Sequence, residues 1–445
     1  MNCTCPASTT LGHFRDDYYR CLGRRADALF ELTDALLTAG PLPSPVHLSS
    51  EPVYRRGWGS FYAALRHGAI DAAALGTLLA RHPLAGGQPI YAVDCSVWPR
   101  SDAEASPERG YYYHPSRHSA GQPIVAGWAY QWLTQLGFER DSWTAPLDVR
   151  RVHPVENANA LAVDQIAGVL GRLPSEGPQP LFVFDAGYDP TQLQQGLGDR
   201  RAALLVRLRS GRCFYGDPPA PKWTGRPPRH GRKFACADPA TWPEPTTEHT
   251  CEDAQYGHVQ VRAWAGLHSK QQTRTGGGTR KMQPIVRGTV VLVEVSRLPR
   301  QTRKPHVLWL WWHGTGTPDL DVLWRAYVRR FDLEHTLRFL KQSLGWTSLR
   351  PRYPAQADCW TWLVLVAYTQ LRLARGIGCD RRLPWERPMP ATQLTPGRVR
   401  RAVSALVPFL ATPANPPKPC GRSPGRPKGR RSGPAPRFPA LKKAV

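Results

Sequence analysis

The spacing of hydrophobic residues predicts helices at the start of the chain and strands soon after it. Across residues 14–82, apolar side chains such as Tyr18, Leu22 and Leu29 recur at helical intervals. A Gly-Gly-Gln-Pro break then ends this pattern, and short apolar runs follow it. We therefore expect a small helical domain over residues 1–85 and a different architecture after it.

Strands and helices alternate in the next part of the chain, which is typical of an α/β sheet. The predicted strands are residues 90–94, 122–135, 181–185, 203–208 and 307–312, and the predicted helices are 156–174, 190–197, 319–344 and 358–374. Residues 209–306 are rich in Gly, Pro, Thr and Arg with strand-like pieces, so we expect a β-rich insertion there. The α/β core is then expected to occupy residues 86–208 and 307–411.

The charge of the chain indicates a polyanionic partner. Lys and Arg number 59 against 34 Asp and Glu, which gives a formal net charge of +25. Nucleic acid and anionic membrane both attract such a chain, but no apolar run of 18 residues predicts a membrane-spanning helix. Residues 412–445 carry nine basic residues, nine prolines and no acid, so we expect a disordered basic tail.

Cysteine usage and the N-terminus favour a cytoplasmic protein. The ten cysteines include no Cys-x-x-Cys pair, and their density is ordinary for this length, so neither a disulfide scaffold nor a zinc ribbon is favoured. The first residues lack the basic and apolar regions of a secretory signal.

Two acids stand at the ends of predicted apolar strands. Asp94 follows residues 90–93, and Asp185 follows residues 181–184. A carboxylate beside a buried strand is costly unless it has a partner or a function, and ligands of open sheets bind at the carboxyl ends of strands. On neighbouring strands the two acids would face one crevice. The alternative for each acid is a structural turn, since Asp is a common turn former.

A third group of polar residues lies on the predicted helix over residues 319–344. Tyr327, Arg330, Glu334 and Lys341 would fall within an arc of roughly 60° on a straight helix. An adjacent stripe of leucines would pack on the sheet and leave this polar edge facing a cleft; it consists of Leu333, Leu337, Leu340 and Leu344. The alternative is a solvated charged face with an ion pair within the helix.

These residues resemble a known family. Tyr327-x2-Arg330-x3-Glu334-x6-Lys341 matches the Tyr-(2)-Arg-(3)-Glu-(6)-Lys signature of a large group of bacterial insertion-sequence DDE transposases. The two strand acids resemble the first and second acids of that group. The long interval before the third acid is where the group carries a β insertion. The resemblance covers residues 86–375.

The resemblance implies an RNase H-like catalytic core, a mixed sheet flanked by helices. It implies that Asp94, Asp185 and Glu334 are catalytic residues and metal ligands, since three carboxylates can hold two Mg²⁺ ions, with Mn²⁺ as a substitute. It further implies that Tyr327, Arg330 and Lys341 contact DNA.

The same resemblance implies partners and a setting for the protein. Its partner is double-stranded DNA, both transposon ends and target, and the DNA complex contains a homodimer. The setting is the bacterial cytoplasm, in association with the nucleoid, and no membrane partner is expected.

Two Gly-Arg-Pro elements add candidate DNA contacts. Residues 424–431 resemble an AT-hook, in which Arg426, Lys428 and Arg430 would lie in a narrow minor groove. Arg226 belongs to the second element, inside the β-rich insertion. A generic basic tail and a solvated basic loop are the respective alternatives.

Three functions are compatible with these features. The first is a DDE transposase that catalyses metal-dependent strand cleavage and strand transfer for an insertion sequence. The second is a transposase-derived DNA-binding protein without catalysis, against which the presence of all three acids weighs. The third is an RNase H-like nuclease that cuts without joining, and the helix signature favours transposition over it.

Overall fold

The protein is described by a computed structural model. It describes residues 6–40, 44–114, 123–139, 141, 143–220, 228–270, 272–274, 280–282, 284–299, 306–419, 421, 425, 429 and 433–442. The chain divides into two compact units. The first unit is Met1–Ala85, Cys95–Asn157 and Asp332–Val445, and the second unit is Gly86–Asp94 and Ala158–Phe331. Each unit therefore combines segments that are distant in sequence, and the five contiguous segments drawn from the sequence stay a prediction.

The helices of the described residues are α1 Pro6–Arg20, α2 Ala26–Thr38, α3 Trp58–His67, α4 Ala72–Ala80, α5 Ala158–Leu170, α6 Pro190–Leu197, α7 Leu320–Arg329, α8 Phe331–Gln342, α9 Pro354–Leu373 and α10 Pro396–Val403. The strands are β1 Ile90–Pro99, β2 Gly110–Tyr113, β3 Ile124–Leu136, β4 Ala145–Val152, β5 Leu181–Phe184, β6 Ala203–Leu208, β7 Cys213–Tyr215, β8 Lys233–Ala235, β9 Thr247–Asp253, β10 Gly257–His268, β11 Gln272–Arg274, β12 Arg280–Met282, β13 Arg287–Val295 and β14 His306–His313.

Helix α9 forms the core of the first unit. Pro354 occupies the first turn, where its missing N–H costs nothing, and the Gln356 Oε1 atom accepts a hydrogen bond from the Tyr353 N–H. The helix is buried on nearly all sides, as expected of a central helix, and it contacts α1, α2, α3, α10 and β4. The helices predicted in residues 14–82 and 358–374 are thus confirmed.

Aromatic side chains fill the sheet side of the first unit. In this unit the strands follow the order β2-β3-β1, and β4 pairs with β3. Trp98, Trp128, Tyr130 and Trp132 come from β1 and β3, and the Trp346 ring lies 5.1 to 6.0 Å from three of them. The Trp346 indole N–H donates to the Thr361 hydroxyl, which satisfies its buried polar group.

The second unit contains a mixed sheet. Its strand order is β1-β5-β6-β14-β13-β10-β7-β8, and β9 also pairs with β10, over residues Gly257–Ala263. Strands β1, β5 and β6 are parallel, with α5 and α6 in the connections, and the strands from β14 onwards are antiparallel. The predicted α/β architecture is therefore confirmed, and strands β7 to β13 lie within residues 209–306. Trp309, Trp311 and Trp312 of β14 are buried in this unit.

The described parts of the C-terminal tail are hydrogen-bonded to the first unit, so the prediction of a disordered tail is not confirmed. The Arg55 guanidinium donates to the Ala414 carbonyl over 2.8 Å. Further on, the Leu441 N–H donates to the Arg109 carbonyl, and Leu441 forms a parallel bridge with Gly110 at β2. The backbone of β2 offers an edge for such pairing, which composition alone does not reveal.

Among the described cysteines, free thiols occur at Cys21, Cys213, Cys236, Cys251, Cys359 and Cys379. Within the described ranges, no helix has both the length and the apolar character needed to cross a bilayer.

Candidate active site

Asp94 and Asp185 follow neighbouring parallel strands of the second unit. The register pairs Val93 with Phe184, so each acid is the next residue after the last paired position. Strand β1 itself continues to Pro99, so Asp94 is a strand residue rather than the end of the strand that the sequence predicted. The carboxyl ends of parallel strands meet at one sheet edge, which gives both acids the same edge.

Arg330 pairs with Asp94. The Arg330 Nη1 atom donates to the Asp94 Oδ2 atom over 2.9 Å, and the side chains are only 11% and 18% exposed. The guanidinium also lies 5.8 Å from the centre of the Tyr327 ring. A guanidinium in a sheltered position favours the ionised form of a neighbouring carboxylate. The sequence assigned Arg330 to DNA phosphates, and this pairing with an acid was not anticipated.

Asp185 forms a turn with the residues that follow it. Its Oδ1 atom accepts a hydrogen bond from the Gly187 N–H over 2.9 Å, which is an Asx turn. A Cβ atom on residue 187 would meet this oxygen at 3.0 Å, so glycine suits the position. The turn alternative is therefore present, but a carboxylate has about four acceptor positions, so the turn and a metal are compatible.

The helix predicted over residues 319–344 is divided at Arg330, and the prediction of one continuous helix is wrong. Helix α7 ends at Arg329 and α8 begins at Phe331. The Arg330 N–H is shared between the Ala326 and Tyr327 carbonyls, at 3.1 and 3.2 Å, which tightens the turn toward 3₁₀ geometry. The arc calculated for a straight helix does not extend across this break.

Glu334 and Lys341 belong to α8, within the first unit. Glu334 lies in the first turn, where the helix dipole favours a negative charge. Lys341 lies in the last turn, and its Nζ atom is 5.7 Å from the centre of the Trp346 ring. The predicted burial of Leu333, Leu337, Leu340 and Leu344 is confirmed, although Leu344 lies beyond the end of α8.

Four candidate DNA contacts lie outside the described residues. They are Arg226 in the insertion and Arg426, Lys428 and Arg430 in the tail. Their assignment stays a prediction.

The donors at the sheet edge suit a hard divalent cation. Asp94 and Asp185 offer carboxylate oxygens, the ligand type that Mg²⁺ and Mn²⁺ prefer. Asp94 also lies in a sheltered position beside the Arg330 guanidinium. The chemistry of these two side chains therefore fits a metal of the kind that the sequence resemblance implies.

A second group of possible metal ligands was missed by the sequence analysis. His249, Cys251 and Asp321 of the second unit bring one donor atom each within 4.8 Å of one another, and no other such group of three occurs in the described part of the chain. The signal in the sequence is His249-x-Cys251 on a strand, since alternate strand residues share a face.

Comparison with known proteins identifies the family of this chain. A solved structure that this chain matches is the cryo-EM structure of the piggyBac transposase synaptic complex with hairpin DNA, with a TM-score of 0.39 and 9% identity over 86% of this chain and 71% of that one. No curated protein matches the sequence. The sequence model of the DDE superfamily endonucleases matches residues 17–270, more than half of the chain, and ends before Glu334. The chain therefore belongs to the DDE superfamily endonuclease family.

Proposed function

We propose that this chain is a DDE transposase that catalyses metal-dependent cleavage and strand transfer of DNA for an insertion sequence. The observation that carries the proposal is the pair of acids Asp94 and Asp185, each of which directly follows the paired residues of two neighbouring parallel strands, in a chain of the DDE endonuclease family. In this proposal the parallel strands β1, β5 and β6 form the centre of an RNase H-like core.

Glu334 completes the proposed set of metal ligands with Asp94 and Asp185. Divalent ions held by these carboxylates would supply a more acidic attacking water or 3′-hydroxyl and would stabilise the leaving oxygen. The carboxylate oxygens of the three acids would hold these ions in position, and Arg330 balances the charge of Asp94 before a metal ion binds. Tyr327 and Lys341 then contact the DNA backbone beside the scissile bond.

The remaining charge suits a DNA partner. A net charge of +25 attracts a polyanion and makes binding dependent on salt. We infer that the Gly-Arg-Pro elements at Arg226 and at Arg426, Lys428 and Arg430 contact DNA outside the catalytic centre. We also propose a homodimer in the DNA complex, because two element ends must be joined in one reaction.

The function is tested by a cleavage assay on DNA that carries the flanks of the gene itself. We expect the purified chain to cut at these flanks with Mg²⁺ but not with EDTA. We expect the Glu334→Gln variant not to cut under either condition. A 3′-OH end supplied with target DNA then tests joining. Cutting without joining would favour the nuclease, and tight binding without cutting by either protein would favour the non-catalytic DNA-binding protein.

The pairing of Arg330 with Asp94 gives a test that needs no DNA. In Arg330→Met, the sheltered Asp94 carboxylate loses its positive partner, so we expect a lower melting temperature in EDTA. Mn²⁺ is expected to stabilise Arg330→Met by more than it stabilises the wild type. At a hundredfold excess of Mn²⁺ over its Kd, the variant should gain about 2.7 kcal/mol in the free energy of unfolding.

The control for that experiment is the double variant Asp94→Asn with Arg330→Met. This variant has neither charge, so Mn²⁺ should stabilise it less than Arg330→Met. An equal response to Mn²⁺ in both variants would remove Asp94 from the proposed set of metal ligands.

A further inference from the structure

Strand β9 carries side chains of types that can bind metals on one face. Its residues alternate between half-buried and exposed positions, and His249, Cys251 and Asp253 are all half-buried. The opposite face carries the exposed residues Glu248, Thr250 and Glu252. Strand β10 fixes this alternation, because it pairs with β9 along its whole length. The imidazole and the thiol therefore point to the same side of the sheet.

Helix α7 brings a carboxylate to this face. The Asp319 side chain caps the helix by accepting from the N–H groups of Asp321 and Val322. Asp321 stands in the first turn, with its Oδ1 atom 3.3 Å from the His249 Nε2 atom and 4.0 Å from the Cys251 Sγ atom. All three residues belong to the second unit.

We propose that His249, Cys251 and Asp321 form a transition-metal site that takes Zn²⁺, separate from the acids of the proposed catalytic centre. Nitrogen, thiolate and carboxylate ligands are the set that Zn²⁺ accepts in proteins, at about 2.0–2.3 Å. Ligands at those bond lengths are about 3.3–3.8 Å apart in a tetrahedron. The Asp321 oxygen lies 3.3 Å from the His249 nitrogen and 4.0 Å from the Cys251 sulfur, and all three donor atoms lie within 4.8 Å of one another. The Cys251 side chain therefore has to move inward by up to roughly 1 Å to reach the tetrahedral spacing.

The hydrogen bonds around the site support a metal. The His249 Nε2 atom is inaccessible to solvent and makes no hydrogen bond within the described part of the structure. A buried nitrogen without a partner costs free energy, and a bound metal would supply that partner. Asp321 accepts from the Trp324 indole N–H and from the Arg325 Nε atom, both over 3.0 Å. Such outer partners hold a ligating carboxylate in position.

The charges of the site balance when a divalent metal is bound. Asp321 and Asp253 both pair with Arg325, which leaves one net negative charge. Adding Zn²⁺ and the Cys251 thiolate brings the cluster to neutrality. Binding displaces the thiol proton of Cys251, which passes to solvent.

The ligand set separates this site from the proposed catalytic one. A thiolate is a soft ligand that favours Zn²⁺ over Mg²⁺, so each ion has its own site in one chain. The zinc site would join β9 of the insertion to α7. Because α7 leads into Arg330, the partner of Asp94, the metal would act structurally by fixing the start of that helix.

Cobalt substitution tests the site directly. The full-length chain, stripped of metal with EDTA and then freed of EDTA, is titrated with Co²⁺, which gives an ultraviolet thiolate-to-metal band when a cysteine ligates it. We expect one Co²⁺ per chain with this band in the wild type and in Cys213→Ala, which removes another half-buried strand cysteine of the same unit. We expect no band in Cys251→Ala, and full loss of the wild-type band when one equivalent of Zn²⁺ is added.

A second variant keeps the test decisive if Cys251→Ala folds poorly. His249→Gln retains the thiol but loses a ligand, so the band should persist while the affinity for Co²⁺ falls at least about 100-fold. A loss of that size exceeds what removal of an outer hydrogen-bonding partner alone would cause. The melting temperature in EDTA shows whether each variant is folded. A wild type without the band, or a band of undiminished affinity in either site variant, would overturn the proposal.

Discussion

Replacing Asp94 or Asp185 by asparagine should lower Mg²⁺-dependent DNA cleavage by about a thousandfold or more. Each substitution keeps the shape of the side chain and an acceptor oxygen, so the contacts with Arg330 and with the Gly187 N–H can persist. What is lost is the negative charge that binds the metal. Metal ions contribute several kcal/mol of transition-state stabilisation, and each 1.36 kcal/mol corresponds to about a tenfold change in rate.

The measurement is the single-turnover cleavage rate on the gene-flank DNA, with DNA affinity measured in EDTA beside it. Affinity should stay unchanged, since neither acid binds phosphate without a metal. Asp71→Asn is a matched control, because Asp71 caps helix α4 through the N–H groups of Ala73 and Ala74, and asparagine caps equally well. A wild-type cleavage rate in Asp185→Asn would show that Asp185 forms the turn with Gly187 but takes no part in catalysis.

The strands of the second unit were predictable because burial on both faces leaves a plain trace in the sequence. Strand β5 is Leu-Phe-Val-Phe and is completely buried, which is the pattern of a parallel strand covered on both sides. Helix α9 was equally predictable, because its run of apolar residues is longer than a typical strand. The break between α7 and α8 left no such trace. No proline or glycine stands near Arg330, and the tightening is a backbone feature of the folded chain.

The partners of the site residues could not be predicted, since they depend on tertiary contacts. Asp94 and Arg330 are 236 positions apart, and nothing in the local pattern around either residue specifies the other. Cys251 and Asp321 are 70 positions apart. The His249-x-Cys251 spacing defines a shared face only once β9 is known to be a strand. The apolar runs in the sequence thus correctly indicated that Asp94 and Asp185 adjoin strands, whereas the pairing of Asp94 with Arg330 could be found only from the structure.

The largest effect on stability is expected at the buried ion pair between α1 and α2. The Arg15 guanidinium donates to both carboxylate oxygens of Asp34, over 2.6 and 2.9 Å, and it also donates to the Gln370 Oε1 atom of α9. The two side chains are only 2% and 7% exposed. Arg15→Met leaves Asp34 buried without its counter-charge, so we expect a loss of about 3–5 kcal/mol in the free energy of unfolding.

Chemical denaturation followed by tryptophan fluorescence measures this loss, and the same helix offers a control. Arg20 pairs with Asp17 at the surface, where the side chains are 76% and 37% exposed, so Arg20→Met should cost less than about 1 kcal/mol. The double variant Arg15→Met with Asp34→Leu buries no charge, and it should recover much of the stability that the single variant loses.

The pH dependence of Arg15→Met separates charge burial from lost packing. Burial raises the pKa of Asp34 even against the attraction of Arg15, and without Arg15 the pKa rises further. A carboxyl whose pKa is raised in the folded state contributes its stability below its unfolded pKa of about 3.9 and loses it as the pH rises through the folded value. The variant should therefore approach wild-type stability near pH 4 and show its full deficit at neutral pH. A deficit of equal size at both pH values would assign the effect instead to the packing of the Arg15 guanidinium over the Phe30 ring, whose centre lies 4.8 Å from the Arg15 Cζ atom.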